Sequence, residues 1–336
     1  MGHAMDVLVT GARGFVGLNL VKTLAQRGVT VWAVDRSPVD RWVEAFLADE
    51  SETVRHIQID LSQSGALLNA LPTSSLDAVV HAAVITATTA DVERRHAREI
   101  VDVNVGGTIE ALETAIATNT NRFVYVSSPS AIGDVESDGP VDESVVPRPT
   151  TLYGITKLSS EQIVERWRSL YGLNAVSVRI AQPYGPGERA TAARVRTSPV
   201  WEWLRDARPG GTLPTGPLDR ERDWTYVFDT AEGIARLALA ERVPYGLYHL
   251  GTGEQVSVEE VFRLLREHIG DLAHDAEPDR EVLNPNIAGP GRPPLDVTRF
   301  AGDFGWKPGT PFRVGMIQYV RWWSEFREID GVTRQS

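Results

Sequence analysis

Near its beginning the sequence reads as a strand, a glycine turn and a helix, in the stretch DVLVTGARGFVGLNLVKTL. A short apolar strand precedes Gly11, Gly14 and Gly17, and apolar residues then recur at helical spacing. Glycines let the chain turn tightly and let backbone amides approach an anion, which the positive end of the helix dipole also attracts. The unit therefore predicts an α/β fold with a dinucleotide pyrophosphate at the turn.

A second strand, TVWAVDRS, ends at Asp35, about twenty residues beyond the glycine turn. An acidic side chain there can accept hydrogen bonds from the adenosine ribose and would repel a 2'-phosphate, so NAD is favoured over NADP. Arg36 and Arg13 leave an alternative open, because either guanidinium could bind a 2'-phosphate if Asp35 turned away. Otherwise both are solvated arginines.

Strands and helices then alternate through the first half of the chain. The β-branched runs VRHIQID, DAVVHAA, RFVYVSS and NAVSVRI are typical of strands buried on both faces of a parallel sheet. Predicted helices between them cover 64–71, 91–118 and 152–171. The pattern predicts a Rossmann-type doubly wound parallel sheet, whose ligands lie beyond the carboxyl ends of the strands. The candidate site residues at such ends are Asp60, Ala82, Ser128 and Gln182.

The composition changes after Pro183, where segments rich in Pro, Gly and Arg surround a short predicted helix at 200–206. A helix (DTAEGIARLALA), a strand (YGLYHLGTG) and two amphipathic helices (VEEVFRLLREHIG and VGMIQYVRWWSEF) follow. We therefore predict an NAD-binding Rossmann domain and a smaller C-terminal α/β substrate domain. The first comprises 5–181 with 224–250 returning to it, and the second comprises 182–223 and 251–330. Residues 1–4 resemble an expression-vector remnant.

Composition narrows the set of partners. The formal net charge of -11 disfavours a nucleic-acid partner, and the lack of cysteine excludes disulfides, thiolate metal sites and a cysteine acid or base. His56, His81, His96 and His249 lack metal-site spacing, so we expect no metal. No apolar run has the length of a membrane span, and no signal sequence is recognisable. We expect a cytoplasmic enzyme with a small-molecule substrate and no membrane partner.

Tyr153 and Lys157 lie four residues apart in a predicted helix, which places a phenol and an ammonium on one face. A free phenol has a pKa of about 10, and a neighbouring cation can lower it by about 1 to 3. A tyrosine with a lowered pKa can exchange a proton with a hydroxyl or carbonyl group. The same spacing also arises by chance on amphipathic helices, so the preceding residues decide its meaning.

Several motifs occur in order along nearly the whole chain. They are TGARGFVG, Asp60-Leu61, the strand end from His81 to Ala83, NVGGT beginning at Asn104, VSSPSAIGD, the YGITK stretch that begins at Tyr153, and RIAQPYGPG. Together they resemble the TGxxGFxG turn, adenine contact, HxAA, NxxGT, serine, YxxxK and RxxNxYGP motifs of the extended short-chain dehydrogenase/reductases. That family comprises NAD-dependent epimerases and dehydratases.

The resemblance implies roles for particular residues. Tyr153 would be the acid/base, Lys157 would bind the nicotinamide ribose and lower the Tyr153 pKa, and Ser128 would hydrogen-bond the reacting oxygen. It further implies a homodimer formed through the helices at 91–118 and 152–171. The implied NAD-binding residues are Gly11, Gly14, Phe15, Val16, Gly17, Asp35, Arg36, Asp60, Leu61, Ala82, Ala83, Asn104, Tyr153 and Lys157.

These roles imply oxidation of a secondary hydroxyl, with its proton passing to Tyr153 and its hydride to NAD. A dehydratase of the family would carry a further acid/base pair directly after the serine, where this chain has Pro129 and Ser130. Neither side chain can act as a carboxylic acid, and a cysteine base is absent. What remains is 4-epimerisation, by return of the hydride to the opposite face of a rotated ketone, or release of the ketone.

Substrate recognition is predicted in the second half. Arg222 and Arg292 resemble the family's two diphosphate-binding arginines, and together they could clamp a nucleotide diphosphate. Alternatively they are loop arginines paired with aspartates nearby. Gln182 for the usual Asn, and Ile132 for the usual Tyr, depart from the family pattern. The substrate site is predicted to comprise Thr86, Ser128, Gln182, Arg222 and Arg292.

Three functions remain open at the level of sequence. The first is a nucleotide-sugar 4-epimerase, which the two arginines favour. The second is an NAD-dependent dehydrogenase of a free sugar, sugar acid or polyol, which the departures at Gln182 and Ile132 favour. The third is a non-catalytic dinucleotide-binding protein, against which Ser128, Tyr153 and Lys157 argue.

Overall fold

The fold is described from a computed structural model, which covers residues 5–86, 89–135, 137, 139–191, 193–194, 196–279, 282–288 and 292–326. The predicted remnant at 1–4 and the last part of the predicted substrate domain, 327–330, lie outside these residues. In the part of the chain that is described, no helix is both long enough and apolar enough to cross a bilayer.

In chain order, the strands are β1 (Asp6–Thr10), β2 (Thr30–Asp35), β3 (Val54–Gln58), β4 (Ala78–His81), β5 (Arg122–Ser127), β6 (Ala175–Ile180), β7 (Gln182–Tyr184), β8 (Gly211–Pro214), β9 (Glu221–Arg222), β10 (Trp224–Tyr226), β11 (Leu247–Leu250), β12 (Val256–Ser257) and β13 (Leu272–Asp275).

The helices follow the same order. They are α1 (Phe15–Ala25), α2 (Arg41–Phe46), α3 (Ala66–Ala70), α4 (Ala90–Val101), α5 (Gly107–Ala117), α6 (Leu152–Tyr171), α7 (Pro199–Asp206), α8 (Val227–Leu239), α9 (Val258–Ile269), α10 (Pro285–Ala288), α11 (Thr298–Phe304) and α12 (Phe312–Phe326). There are also two short 3-10 helices, Ala48–Glu50 and Pro129–Ala131, and one π-helical turn, Asp102–Gly106.

A seven-stranded sheet in the order β11-β6-β5-β4-β1-β2-β3 forms the centre of the fold, and its neighbouring strands are parallel. Val7 and Val9 face α1 and α8, whereas Leu8 between them faces α3, α5 and α6. Both faces of the sheet are therefore buried, as the β-branched runs require. This arrangement confirms the predicted doubly wound Rossmann class.

A second hydrophobic core lies outside the central sheet. Aromatic residues dominate it: Tyr184 and Tyr226 come from β7 and β10, which pair in parallel, and Trp201 contacts Trp323 of α12 edge to face. Two further short pairs, β8 with β13 and β9 with β12, flank this core. The cleft between the two cores lies at the carboxyl ends of the central strands, where ligands of this architecture bind.

The helical stretch predicted at about 91–118 is present, but it is not one regular helix. It is divided into α4, the π-helical turn and α5, and His96 inside α4 has non-helical dihedral angles. Thr108 Oγ1 donates to the carbonyl of Asn104 at 2.7 Å and Ser160 Oγ donates to the same oxygen at 3.0 Å. The π-helical turn contains Asn104, whose side chain contacts the backbone of Ile85 in the connection after β4. Such single π-helical turns inside α-helices are frequent at functional sites.

Candidate active site

The glycine turn closes tightly against the end of β4. Gly11 has a φ of +66°, and a Cβ atom there would lie 2.6 Å from the backbone nitrogen of Ala83. A Cβ on Gly17 would lie 2.1 Å from the carbonyl oxygen of Gly11, so a side chain at either position is sterically forbidden. Helix α1 begins after Gly14 without a side-chain cap. The first backbone N–H groups of α1 are thus left for an anion in the adjoining cavity.

The Asp35 carboxylate, at the end of β2, lines the same cavity. Its two oxygens accept the backbone N–H groups of Arg13 and Ser37, each at 2.9 Å, and retain capacity for ribose hydroxyls. The Arg13 guanidinium donates to the carbonyls of Asp35 and Ser37, and Arg36 pairs with Glu99 at 3.0 Å. Both arginines therefore have protein partners, and the residues present fit NAD.

The remaining predicted NAD-binding residues divide into two groups. Asn104 is buried; its side chain accepts from the backbone N–H of Ile85 at 2.8 Å and donates to Thr156 Oγ1 at 3.0 Å. Asn104 thus holds the connection after β4 against α6 from behind the cavity wall, and its contact with NAD stays a prediction. The others line the cavity directly: Phe15, Val16, Asp60, Leu61, Ala82 and Ala83.

The predicted proton-transfer residues are positioned by the first turn of α6. Thr151 Oγ1 accepts from the backbone N–H of Gly154 at 3.1 Å and so caps this helix. A Cβ on Gly154 would lie 2.3 Å from the carbonyl oxygen of Ser130, so the missing side chain lets α6 pack directly on the 129–131 turn. This close approach brings Tyr153 next to Ser128, the residue before that turn.

Lys157 is almost completely buried one turn further along α6. Its Nζ donates to the backbone carbonyl of Val126 at 2.7 Å and lies 4.8 Å from the centre of the Tyr125 ring. Burial lowers the pKa of Lys157 to about 7, against the opposing charge of Glu161. The ammonium and the neutral amine are therefore close in free energy at neutral pH.

The prediction of a lowered Tyr153 pKa is wrong. Burial raises the pKa of Tyr153, and it outweighs the lowering effects of the Ser128 hydroxyl and of the Arg194 and Arg292 charges. Helical spacing does bring Lys157 to 5.9 Å from the Tyr153 ring centre. However, the ammonium is directed to the Val126 carbonyl, so the spacing predicts the contact but not its electrostatic effect.

One cavity of about 470 Å³ joins these residues to the predicted substrate site. Arg222 is buried; it donates to the carbonyls of Asn286 at 2.9 Å and Glu221 at 2.7 Å, and burial and the charge of Arg292 lower its pKa to about 10. Arg292 Nη1 donates to Ser130 Oγ at 3.3 Å. The predicted substrate residues that line the cavity are Thr86, Ser128, Gln182, Arg222 and Arg292. Their contact with a substrate stays a prediction.

Sequence reasoning missed Arg194, which also lines the cavity. Its guanidinium lies 5.4 Å from the centre of the Phe15 ring and donates to the buried carboxylate of Glu188 at 2.7 Å. Glu188 in turn accepts from the backbone N–H of Ser198, at the start of α7. In sequence this segment is distinguished only by its Pro, Gly and Arg content. A loop has no periodicity that could show which of its arginines faces a ligand.

With this geometry in view, comparisons with known proteins define the family. The profile of the NAD dependent epimerase/dehydratase family matches residues 7–251, so the chain belongs to that family. This confirms the resemblance to extended short-chain dehydrogenase/reductases, and with it the expectations of an enzyme and of NAD as cofactor.

Individual relatives cover nearly the whole chain but differ in activity. The UDP-glucuronate 4-epimerase of Thermodesulfobacterium geofontis is 28% identical over 328 residues, which are 96% of this chain and 97% of that protein. The dTDP-glucose 4,6-dehydratase of Escherichia coli is 25% identical over 352 residues, covering 96% and 95%. Among solved structures, MoeE5 in complex with UDP-glucuronic acid and NAD is 26% identical, with a TM-score of 0.77 over 95% of this chain and 99% of that one.

Proposed function

We propose that this enzyme is a nucleotide-sugar 4-epimerase. The observation that carries the proposal is the continuous cavity, which joins Ser128, Tyr153 and Lys157 to the two arginines predicted to bind a diphosphate. A relative named as a UDP-glucuronate 4-epimerase and a structural neighbour that binds UDP-glucuronic acid with NAD support the same class of substrate.

In this proposal Tyr153, Ser128 and Lys157 cooperate in the proton transfer at a single hydroxyl of the sugar. When bound, NAD supplies a hydride acceptor for the carbinol carbon and a positive charge beside the phenol. Tyr153 takes the hydroxyl proton and later returns it, while Ser128 hydrogen-bonds the same oxygen. Lys157 favours the phenolate through its charge. Because burial raises the Tyr153 pKa, formation of the phenolate depends on these neighbouring charges.

The residues after Ser128 favour epimerisation over dehydration. Pro129 and Ser130 begin the 3-10 turn and provide no carboxylate for removing a proton from a second sugar carbon. Ser130 Oγ accepts from Arg292 instead, which places it on the side of the predicted diphosphate. We therefore do not infer a dehydratase activity for this chain from the dehydratases among its relatives.

The alternative is a dehydrogenase of a free sugar, sugar acid or polyol. It is supported by the departures from the family pattern at Gln182, which lines the cavity, and Ile132, which is buried beside Val141 and Leu295. One assay separates the two functions: incubation with NAD and either UDP-sugars or free sugars, with NADH absorbance and product identity both measured. We expect 4-epimers of a UDP-sugar without net NADH. Stoichiometric NADH from free sugars would favour the dehydrogenase instead.

Arg222 tests the diphosphate part of the proposal. Arg222→Ala removes charge-assisted hydrogen bonds worth about 1.5 to 3 kcal/mol, so KM for the UDP-sugar should rise by roughly 10-fold to 100-fold with little change in kcat. Arg208→Ala, at an exposed arginine before β8, is the matched control and should leave KM unchanged. Equal KM values in a folded Arg222 variant and the wild type would contradict the predicted diphosphate contact.

A further inference from the structure

Behind the proton-transfer residues lies a buried ion pair that the proposed mechanism does not use. Glu161 is on α6, one helical turn beyond Lys157, and its partner Arg179 is on β6. The Glu161 carboxylate accepts from Arg179 at 2.9 Å and 2.7 Å, in a bidentate arrangement, and from Ser127 Oγ at 2.5 Å. The side chains of Arg179 and Glu161 are only 3% and 8% exposed, so the pair is desolvated.

The far side of Arg179 is also satisfied. Its Nη1 lies 3.4 Å from His249 Nε2, and His249 Nδ1 lies 3.1 Å from the carbonyl of Val141. Burial lowers the pKa of His249 to about 3, so the imidazole is neutral and its Nε2 can accept from Arg179. A neutral histidine leaves Glu161 as the ionic partner of this guanidinium.

The contact with Ser127 connects this ion pair to the active site. Ser127 stands between Val126, whose carbonyl accepts from Lys157 Nζ, and Ser128, which faces the cavity. A single carboxylate therefore anchors the end of β5 that carries both functional groups. Buried ion pairs contribute little net stability compared with apolar residues of similar volume, so stability alone is a weak reason for this one.

Most of the titratable groups around Lys157, other than Glu161, are uncharged. Burial raises the pKa of Tyr153 and of Tyr125 and lowers that of His81 to about 3, so these three groups are neutral near pH 7. Within the described part of the chain, Glu161 is the group whose charge favours the Lys157 ammonium. The titratable and charged groups facing Lys157 are thus Tyr153 and Glu161 of α6, Tyr125 of β5 and His81 of β4. Arg179 of β6 contacts Glu161 instead.

We propose that Glu161 is a positioning residue that keeps Lys157 charged and holds, through Ser127, the strand end against which Lys157 is fixed. The inference rests on the proposed proton-transfer role of Lys157 and is independent of the identity of the sugar. Glu161 itself touches neither the cavity nor the reacting atoms, because Lys157 and Ser127 lie between.

The sequence makes a direct test practical, because it contains three lysines, Lys22, Lys157 and Lys307. Protein labelled with 13C-lysine gives one ε-methylene signal for each, and Lys157→Met assigns the buried one. The pH midpoint of the Lys157 signal is then measured for the wild type and for Glu161→Gln. We expect the midpoint to fall by roughly 1 pH unit, while Lys22 and Lys307 stay unchanged.

Two further variants make the result decisive. Ser127→Ala removes the hydrogen bond but keeps the Glu161 charge, so the Lys157 midpoint should stay within about 0.3 of the wild-type value, well below the shift caused by loss of a neighbouring charge. The double variant Glu161→Leu with Arg179→Met leaves no unpaired buried charge, so it should fold even if Glu161→Gln does not, and its midpoint should also fall. An unchanged Lys157 midpoint in either folded variant that lacks the carboxylate would overturn the proposal.

A second readout separates this inference from the proposed function. In Glu161→Gln the alkaline limb of the kcat/KM profile, which reports the free enzyme, should move to lower pH by the same amount as the NMR midpoint, whereas a purely structural defect would lower kcat/KM at every pH. A lowered NMR midpoint with an unmoved limb would retain the link between Glu161 and Lys157 but refute the catalytic role of Lys157. An unchanged midpoint would refute the inference whatever the substrate.

Discussion

Burial of Lys157 predicts a measurable cost in stability, which Lys157→Met should remove. The pKa of Lys157 falls from 10.5 to about 7 in the folded protein, and its side chain is almost fully buried, so no discount for solvent is needed. At about 1.36 kcal/mol per pKa unit, this fall corresponds to a cost of roughly 4 to 5 kcal/mol at or below pH 7. Loss of the hydrogen bond to Val126 offsets about 1 kcal/mol. The variant should therefore be more stable by about 3 kcal/mol at pH 7.

The sign of the pH dependence follows from proton uptake. Between pH 7 and 10.5 the unfolded chain holds a proton on Lys157 that the folded protein has lost, so wild-type stability rises with pH relative to the variant. The advantage of Lys157→Met should shrink by about 2 kcal/mol between pH 7 and pH 9. Below pH 7 both states of the wild type bind the proton and the difference should level off.

Urea unfolding of wild type and Lys157→Met at several pH values between 6 and 9 measures this difference directly. Every other titrating group is common to both proteins, so subtracting the two curves leaves the contribution of Lys157 together with that of the groups coupled to it, such as His81. Parallel curves would refute the reasoning, because they would mean that Lys157 titrates alike in the folded and unfolded states. A variant less stable than the wild type at pH 7 would show instead that packing at this site outweighs the cost of burying the charge.

Three shorter predictions test other parts of the site. Asp35→Ala should weaken NAD binding by roughly 10-fold, as measured by calorimetry, because the hydrogen bonds to the ribose are lost; unchanged affinity would contradict the contact. Tyr153→Phe should lower kcat by roughly 10²-fold to 10⁴-fold while NAD affinity is retained, and full turnover would disprove its acid/base role. Gly154→Ala should destabilise the fold by about 2 kcal/mol and reduce kcat, because its Cβ would meet Ser130 O at 2.3 Å. Gly302→Ala, with no atom within 4 Å, is the matched control and should be neutral or stabilising in thermal unfolding.

The sheet and the longest helix could be predicted because their signals are local. The predicted helix at 152–171 has the same bounds as α6, since Thr151 caps its beginning and Gly172, with a φ of +66°, ends it. Helix α2 was missed because six residues are too few to show a period, although Asp40 caps it by accepting from Val43 N. The strands outside the central sheet have two to four residues each, and the aromatic core on which they pack, rather than their own pattern, holds them in place.

The residues that line the candidate site could be predicted where they fall at strand ends, and not where a side chain depends on a distant partner. Parallel strands bring Asp35, Ala82 and Ser128 to one edge whatever the loops do, so motif positions were sufficient to collect them around one cavity. Glu161 depends on Arg179, eighteen residues away on another element. No spacing rule relates a helix residue to a strand residue across a sheet, so this pair became visible only in three dimensions.

The pKa of Tyr153 depends on more than its helical spacing from Lys157. A spacing of four residues in a helix fixes the separation of two Cβ atoms. It does not fix the position of an ammonium at the end of a flexible four-carbon chain, and here Lys157 Nζ donates to the Val126 carbonyl. Burial then raises the pKa of the phenol and lowers that of the ammonium, so the same desolvation opposes both charged forms. A phenolate beside Lys157 consequently depends on charges in addition to that of the ammonium. Arg194 and Arg292 supply two of them from the cavity side, and Glu161 maintains the cation from behind.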